Sequence, residues 1–295
     1  MPLNVQKVKW GHMVHAASRL GAGGSPRADA VRPAEADEVF AAWVLGPAAN
    51  VPRVSTRAGL QAVLFDLDGV LVDTAEFHYQ SWQRLADELH LPFDRQQNHG
   101  FRGVGRMECL DKLLGRHAAQ FALEEKTVLA ERKNTFYVEM LQTLTPDALA
   151  PGARGLAMGL RALSDGGARL AVVSASRNAR RVLELLKISD WFDTIIDGTD
   201  VTRSKPDPQC FLLAAERLRV RAEACVVVED AEAGLKAARA AGMGCVGVGG
   251  GVGSVRCDVH VPAVGELTIE QLEAVAGKHA EGANEANATA RRAGA

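Results

Sequence analysis

Two aspartates spaced i, i+2, Asp66 and Asp68, follow the apolar run Val63-Leu64-Phe65 and precede Gly69. In an extended chain alternate side chains share a face, so both carboxylates are expected to leave the strand end into one small volume. Such a pair can divide labour, one carboxylate attacking or binding metal while the other carries a proton, when their surroundings separate their pKa values. Gly69 lets the chain turn away without a side chain in that space. A second acidic pair, Glu229-Asp230, follows the apolar run Cys225-Val226-Val227-Val228. Hard oxygen ligands suit Mg²⁺, which needs few carboxylates when a phosphate and waters complete its octahedron. Four acids at two strand ends would repel strongly without such a cation.

Ser174-Ala175-Ser176-Arg177-Asn178 lies between the apolar run Leu170 to Val173 and a helical run from Ala179 to Leu186. Hydroxyls and backbone N–H groups at a strand-to-helix junction form an anion cradle, which makes Ser174 a candidate phosphoryl ligand. The alternative is that Ser176 or Asn178 merely caps the helix. Lys205 sits in Ser204-Lys205-Pro206-Asp207-Pro208, a proline-stiffened turn that enters a helix. A lone lysine there would ordinarily be solvated.

To converge, these residues need a scaffold that ends several strands side by side. Short β-branched runs at 62–65, 170–173, 194–196, 225–228 and 245–248 alternate with helical patterns, which signals a parallel sheet with crossover helices. Ligands of open α/β sheets bind at the carboxyl ends of such strands. Between the first two strands, about a hundred residues show only helical periodicity, at 75–89, 107–114 and 123–144. The expected fold is therefore α/β, a Rossmann-like parallel sheet core with a small α-helical cap inserted after the first strand. The core comprises 59–76 and 149–275, and the cap 77–148, with Pro146 and Pro151-Gly152 at the return hinge. Residues 1–58 read as a partly disordered N-terminal extension with a short helix at 34–45, and 276–295 as a disordered tail without apolar period.

The 295 residues carry 34 Lys+Arg against 36 Asp+Glu, a net charge of −2 that argues against broad attraction to nucleic acid or anionic membrane. Five widely spaced cysteines without a C-x-x-C pair read as reduced, structural thiols. No apolar stretch is long enough to span a bilayer and no signal-peptide core is evident, so a cytoplasmic protein is expected. The basic residues Lys7, Lys9, Arg19, Arg27 and Arg32 lack the long amphipathic helix of an organelle leader. Gly242 to Gly247 fits G-x-G-x-x-G, but it follows a helix and enters a strand, the reverse of a dinucleotide site.

Taken in order, Asp66, Asp68, Ser174, Lys205, Glu229 and Asp230 resemble the haloacid dehalogenase superfamily of phosphoryl-transfer enzymes, across roughly residues 60–261. The resemblance implies that Asp66 is the nucleophile, forming an aspartyl-phosphate, and that Asp68 is general acid/base and also lends its backbone carbonyl to Mg²⁺. It implies that Ser174 and Lys205 steady the transferred phosphoryl group, with Glu229 and Asp230 completing the metal site of Asp66 and Asp68.

The run from Asp66 to His78 with Trp82, then Phe101 to Arg106, Glu131 to Asn134 and Ser174 to Asn178, looks like the β-phosphoglucomutase branch of that superfamily. That closer resemblance implies that Thr74 and His78 couple cap closure to the placing of Asp68, and that Arg106 grips the distal phosphate. It also places Trp82, Arg102, Gly103, Lys133, Ala175, Arg177 and Asn178 on the substrate side. The implied reaction interconverts β-D-glucose 1-phosphate and D-glucose 6-phosphate, with Mg²⁺ as cofactor and β-glucose 1,6-bisphosphate as intermediate. The alternative is a Mg²⁺-dependent sugar-phosphate phosphatase. Either way the implied partner is a small phosphosugar, with no nucleic acid or membrane, and the chain is expected to be a monomer. Arg102 and Arg177 stand where the branch more often has lysine, and Ala231 where it has serine. The arginines keep charge but change geometry, which leaves the sugar open. Without the resemblance, His78 and Trp82 would read as packing on one helix face with Leu85 and Leu89, and Arg106 and Lys133 as surface charges.

Overall fold

Six parallel strands form one sheet in the order β3-β2-β1-β4-β5-β6: β1 (Ala62–Phe65), β2 (Arg169–Val173), β3 (Thr194–Ile196), β4 (Cys225–Glu229), β5 (Gly244–Val248) and β6 (Val259–Val261). The structure is a computed structural model that describes residues 59–163, 167–252 and 255–293, with side chains through 283. The expected extension at 1–58, with its helix at 34–45, lies outside the described residues. Strand alternation sends Val63, Phe65, Val172 and Val228 to one buried layer and Ala62, Leu64, Val173 and Val227 to the other. Burial on both faces explains why the central strands are unbroken apolar runs rather than alternating ones.

After β1 the chain builds helices α1 (Ala75–Glu88), α2 (Arg95–His99), α3 (Arg106–Leu114) and α4 (Leu123–Leu141) before returning to the sheet. These pack around a separate cluster that includes Trp82, Leu85, Ala86, Leu89, Cys109, Leu110 and Leu129. The spacing of Trp82, Leu85, Ala86 and Leu89 is the i, i+3, i+4, i+7 stripe of an amphipathic helix. The fourth helix ends at Leu141, three residues before the expected Leu144. The outgoing and returning chains are tied together: Ala150 N–H donates to the Leu71 carbonyl at 2.8 Å, and Val72 bridges Leu149.

Helices α5 (Ala153–Arg161), α6 (Ala179–Leu186), α7 (Gln209–Leu218) and α8 (Glu232–Ala240) cover the sheet. Gly242, at φ +74°, ends the helix before β5, the turn expected for the rejected glycine motif. A final helix, α9 (Ile269–Ala293), corrects the expectation of a disordered tail from 276. Leu272, Val275, Ala276 and Ala280 are buried along it, so alanines supply the stripe that a search for large apolar residues passes over. Alanine is also the strongest helix former. All five cysteines are free, four of them buried. Among the described residues no helix is long and apolar enough to cross a membrane.

Candidate active site

Phe65 pairs in register with Val172 on one side and Val228 on the other, so β1, β2 and β4 end side by side. Their ends deliver Asp66, Ser174 and Glu229 to one rim, at the point where the strand order reverses. Lys205 reaches that rim from the turn before α7. Its Nζ donates to Asp66 Oδ1 at 2.7 Å, to Glu229 Oε1 at 2.6 Å and to the Val173 carbonyl at 3.0 Å. These acceptors use all three hydrogens of a buried ammonium. Burial opposes its charge, but Asp66 and Glu229 outweigh burial and raise its pKa above the ordinary lysine value. The solvated lysine of the bland reading is thus excluded.

Asp66 is held well above the usual carboxylate range, first by burial, with Lys205 pulling down and Glu229, Asp230 and Asp68 pushing up. Asp230 is pushed up to about 7 by burial and by Glu229, against the pull of Arg102. The Arg102 Nη1 atom lies 3.4 Å from Asp230 Oδ2. Asp66, Glu229 and Asp230 each offer an oxygen within 4.8 Å of the others. A buried, crowded trio in which Asp66 and Asp230 resist ionisation fits a hard divalent cation, whose charge would reverse that resistance. The backbone leaves them space: a Cβ on Gly69 (φ +95°) would overlap the Asp230 carboxylate, and one on Gly234 the Glu229 carboxylate.

Asp68 turns away from this trio. Its carboxylate accepts from the Thr74 hydroxyl and, at 3.4 Å, from the Ser174 hydroxyl, while His78 Nε2 lies 3.8 Å from Oδ1. Its side chain is therefore outside the acidic trio, although Asp66 and Asp68 line one cavity. The reason is local. The strand ends at Phe65, and the N–H groups of Leu71 and Val72 fold back on the Leu67 carbonyl at 3.0 and 3.2 Å, so period-two alternation does not extend to Asp68. Burial works against its ionisation, but His78, Thr74 and Ser174 prevail and lower its pKa. Thr74 occupies the N-cap of α1 without capping it, because its hydroxyl is committed to Asp68. Ser174 also accepts from the Ser176 N–H at 3.0 Å.

The helical segment closes over this rim. Lys133 is buried with Nζ 3.1 Å from His78 Nδ1 and 5.0 Å from the Trp82 ring centroid. Burial and the charge of Arg106 push its pKa down to about 7. Trp82 is itself buried among the helices, edge-on to Phe101. Arg106 donates to Glu131 Oε1 at 2.8 Å and to Asn134 Oδ1 at 3.0 Å. Asn178 does not cap α6; it donates to the same Asn134 oxygen at 2.9 Å. One cavity is lined by Asp66, Asp68, His78, Trp82, Arg102, Gly103, Arg106, Lys133, Ser174, Ala175, Arg177, Asn178 and Asp230. Thr74 touches it through Asp68, and Lys205 and Glu229 stand behind Asp66.

A family model described as haloacid dehalogenase-like hydrolase matches residues 60–242, which hold the acidic trio, Lys205 and the helical insertion. The chain belongs to that family. Its similarity to the β-phosphoglucomutase of Bacillus subtilis is 40% identity, over 72% of this chain and 94% of that one. The phosphorylated carbohydrates phosphatase of Thermotoga maritima is 32% identical over 62% of this chain and 82% of its own. Among solved structures, a β-phosphoglucomutase from Clostridium difficile superposes with a TM-score of 0.71 at 35% identity, covering 75% of this chain and 98% of that one. From the run Glu131 to Asn134 the resemblance assigned only Lys133 to the site; the structure adds Glu131, Asn134 and Tyr137 as its neighbours. The buried Tyr137 ring stacks on His78 with centroids 4.2 Å apart. A helical i, i+4 link between Lys133 and Tyr137 was the available signal.

Proposed function

We propose that this chain is a β-phosphoglucomutase, interconverting β-D-glucose 1-phosphate and D-glucose 6-phosphate through β-glucose 1,6-bisphosphate. The observation that carries this reading is that one cavity has Asp66 on its wall and Arg106 and Arg177 on another part of it. A phosphatase needs one phosphate grip, whereas a mutase must hold the second phosphate of a bisphosphate. The identity to the Bacillus subtilis enzyme supports the same choice.

In the proposed reaction an Asp66 carboxylate oxygen attacks the phosphorus, and the bond from phosphorus to the sugar oxygen breaks. Asp68 donates a proton to the departing oxygen and, in reverse, removes it from the attacking sugar hydroxyl. Lys205 and Ser174 hold the phosphoryl oxygens, and the Arg106 fork takes the distal phosphate. Asp66, Glu229 and Asp230, with the Asp68 carbonyl, would hold Mg²⁺, which when bound offsets the anionic charge of nucleophile and phosphate. Thr74 and His78 position Asp68, and Arg102, Lys133 and Trp82 close the wall that excludes water. Residues 77–148 act as the cap, moving about the paired linkers. We further read the enzyme as a cytoplasmic monomer.

Product analysis tests the proposal. With β-glucose 1-phosphate, Mg²⁺ and a trace of bisphosphate, glucose 6-phosphate is expected; stoichiometric inorganic phosphate without it would make the chain a phosphatase.

A further inference from the structure

Arg106 and Arg177 share one carboxylate. Glu131 Oε1 accepts from Arg106 Nη1 at 2.8 Å and lies 3.8 Å from Arg177 Nη1. Arg106 begins α3 on the helical side, whereas Arg177 belongs to the loop after β2. One turn along α4 from Glu131, the Asn134 side-chain oxygen takes a hydrogen bond from Arg106 and another from Asn178, so α4 lays two acceptors across the seam. Arg106 and Arg177 also line two spaces at once: the cavity of Asp66 and a second cleft bounded by α3, α4 and the loops after β2 and β3. Glu131 lines the second cleft beside both arginines.

Two guanidinium groups brought to one point repel unless an anion lies between them. Burial and then the charge of Arg177 lower the pKa of Arg106, with Glu131 acting against them. Among the described residues, the acceptors of the Arg106 fork are Glu131 and Asn134.

We propose that Glu131 is an internal stand-in for the distal phosphate, pairing Arg106 with Arg177 across the seam until a phosphate dianion displaces it. This rests on the reading of Arg106 as the distal-phosphate grip. A phosphate group brings up to about two charges and three acceptor oxygens, against one charge on the carboxylate. Glu131 is half exposed, so its pair is weak enough to be exchanged. The residue thus positions both arginines in the ligand-free chain and sets how strong an anion must be to enter.

The test is calorimetric binding of inorganic phosphate to the full-length, Mg²⁺-loaded protein, comparing wild type with Glu131→Gln. The variant is expected to bind phosphate roughly two- to fivefold more tightly, the scale of an exposed ion pair. The gain should vanish when Glu131→Gln is added to Arg106→Ala. For β-glucose 1-phosphate, KM should fall in Glu131→Gln without a rise in kcat, a split that general loosening of the fold would not give. Equal or weaker phosphate binding by Glu131→Gln, a gain that persists beside Arg106→Ala, or no detectable binding by any variant would each overturn the proposal. If the wild-type chain lacked mutase turnover, the sugar reading would fail while the phosphate comparison still judged Glu131. Normal turnover with unchanged phosphate affinity would remove the role of Glu131 alone.

Discussion

Lys133 holds its side-chain nitrogen 3.1 Å from Nδ1 of His78, whose other ring nitrogen faces Asp68. In its protonated form Lys133 can only donate, so it then takes Nδ1 as the acceptor and leaves the ring hydrogen on Nε2, facing the proposed acid/base. The pair therefore links the helical segment to the chemistry at the rim.

That link should trade stability for function. Burial, with the charge of Arg106, pushes Lys133 down to about 7, whereas in the unfolded chain it titrates near the ordinary 10.5. Between those values the unfolded state binds more protons, so wild-type stability rises with pH across that window. Lys133→Met keeps the volume and removes the buried amine. It should be more stable than wild type at pH 7 and lose that advantage as pH approaches 10.5, while kcat falls. Denaturant titrations at several pH values measure this; a stability difference independent of pH would contradict it.

Asp66→Asn should abolish turnover, lowering kcat by at least about 10³, as expected for a nucleophile that acts with a positioned acid/base. The fold should survive because Lys205 keeps Glu229 and the Val173 carbonyl as acceptors. Incubation with labelled bisphosphate should label the wild type and not the variant. Residual activity near wild type would remove the covalent route.

Thr74→Val removes a hydroxyl that helps to lower the Asp68 pKa and leaves the shape nearly unchanged. The acidic limb of the kcat/KM profile should move to higher pH, because Asp68 must then lose its proton with one donor fewer. A fall in kcat of about tenfold is expected, within what general acid/base catalysis supplies. An unmoved acidic limb would show that Asp68 does not set it.

The strands were legible because a parallel sheet buried on both faces demands continuous β-branched runs, and Asp66 and Glu229 were legible because each closes or follows such a run, whereas Lys205, in a turn away from any strand, drew its place only from the family resemblance. The five-residue α2 was not legible, since none of its residues is buried; a reciprocal capping box between Asp94 and Gln97 holds it instead. β6 escaped for a similar reason, being three residues with one fully buried. Glu131 and Asn134 fell within a segment that carried the resemblance, but their own roles were not legible, because what defines them is partners 25 and 44 residues away in the chain.

Gly234 gives the sharpest separation of stability from function. It lies inside α8, where helix propensity alone would favour alanine by about 1 kcal/mol. An added Cβ would overlap the Glu229 carboxylate, which lies at the centre of the acidic trio and accepts from Lys205 and from the Ala231 N–H. Glu229 cannot yield without losing those bonds, since it is wholly buried. Gly234→Ala should therefore remain folded yet need about 10- to 100-fold more Mg²⁺ for half-maximal activity, the scale seen when groups that orient a metal ligand are lost. After chelation, wild type should recover at low Mg²⁺ and the variant only at high Mg²⁺. If both recovered at the same concentration, Glu229 would not be a ligand and would serve only as a counter-charge for Lys205.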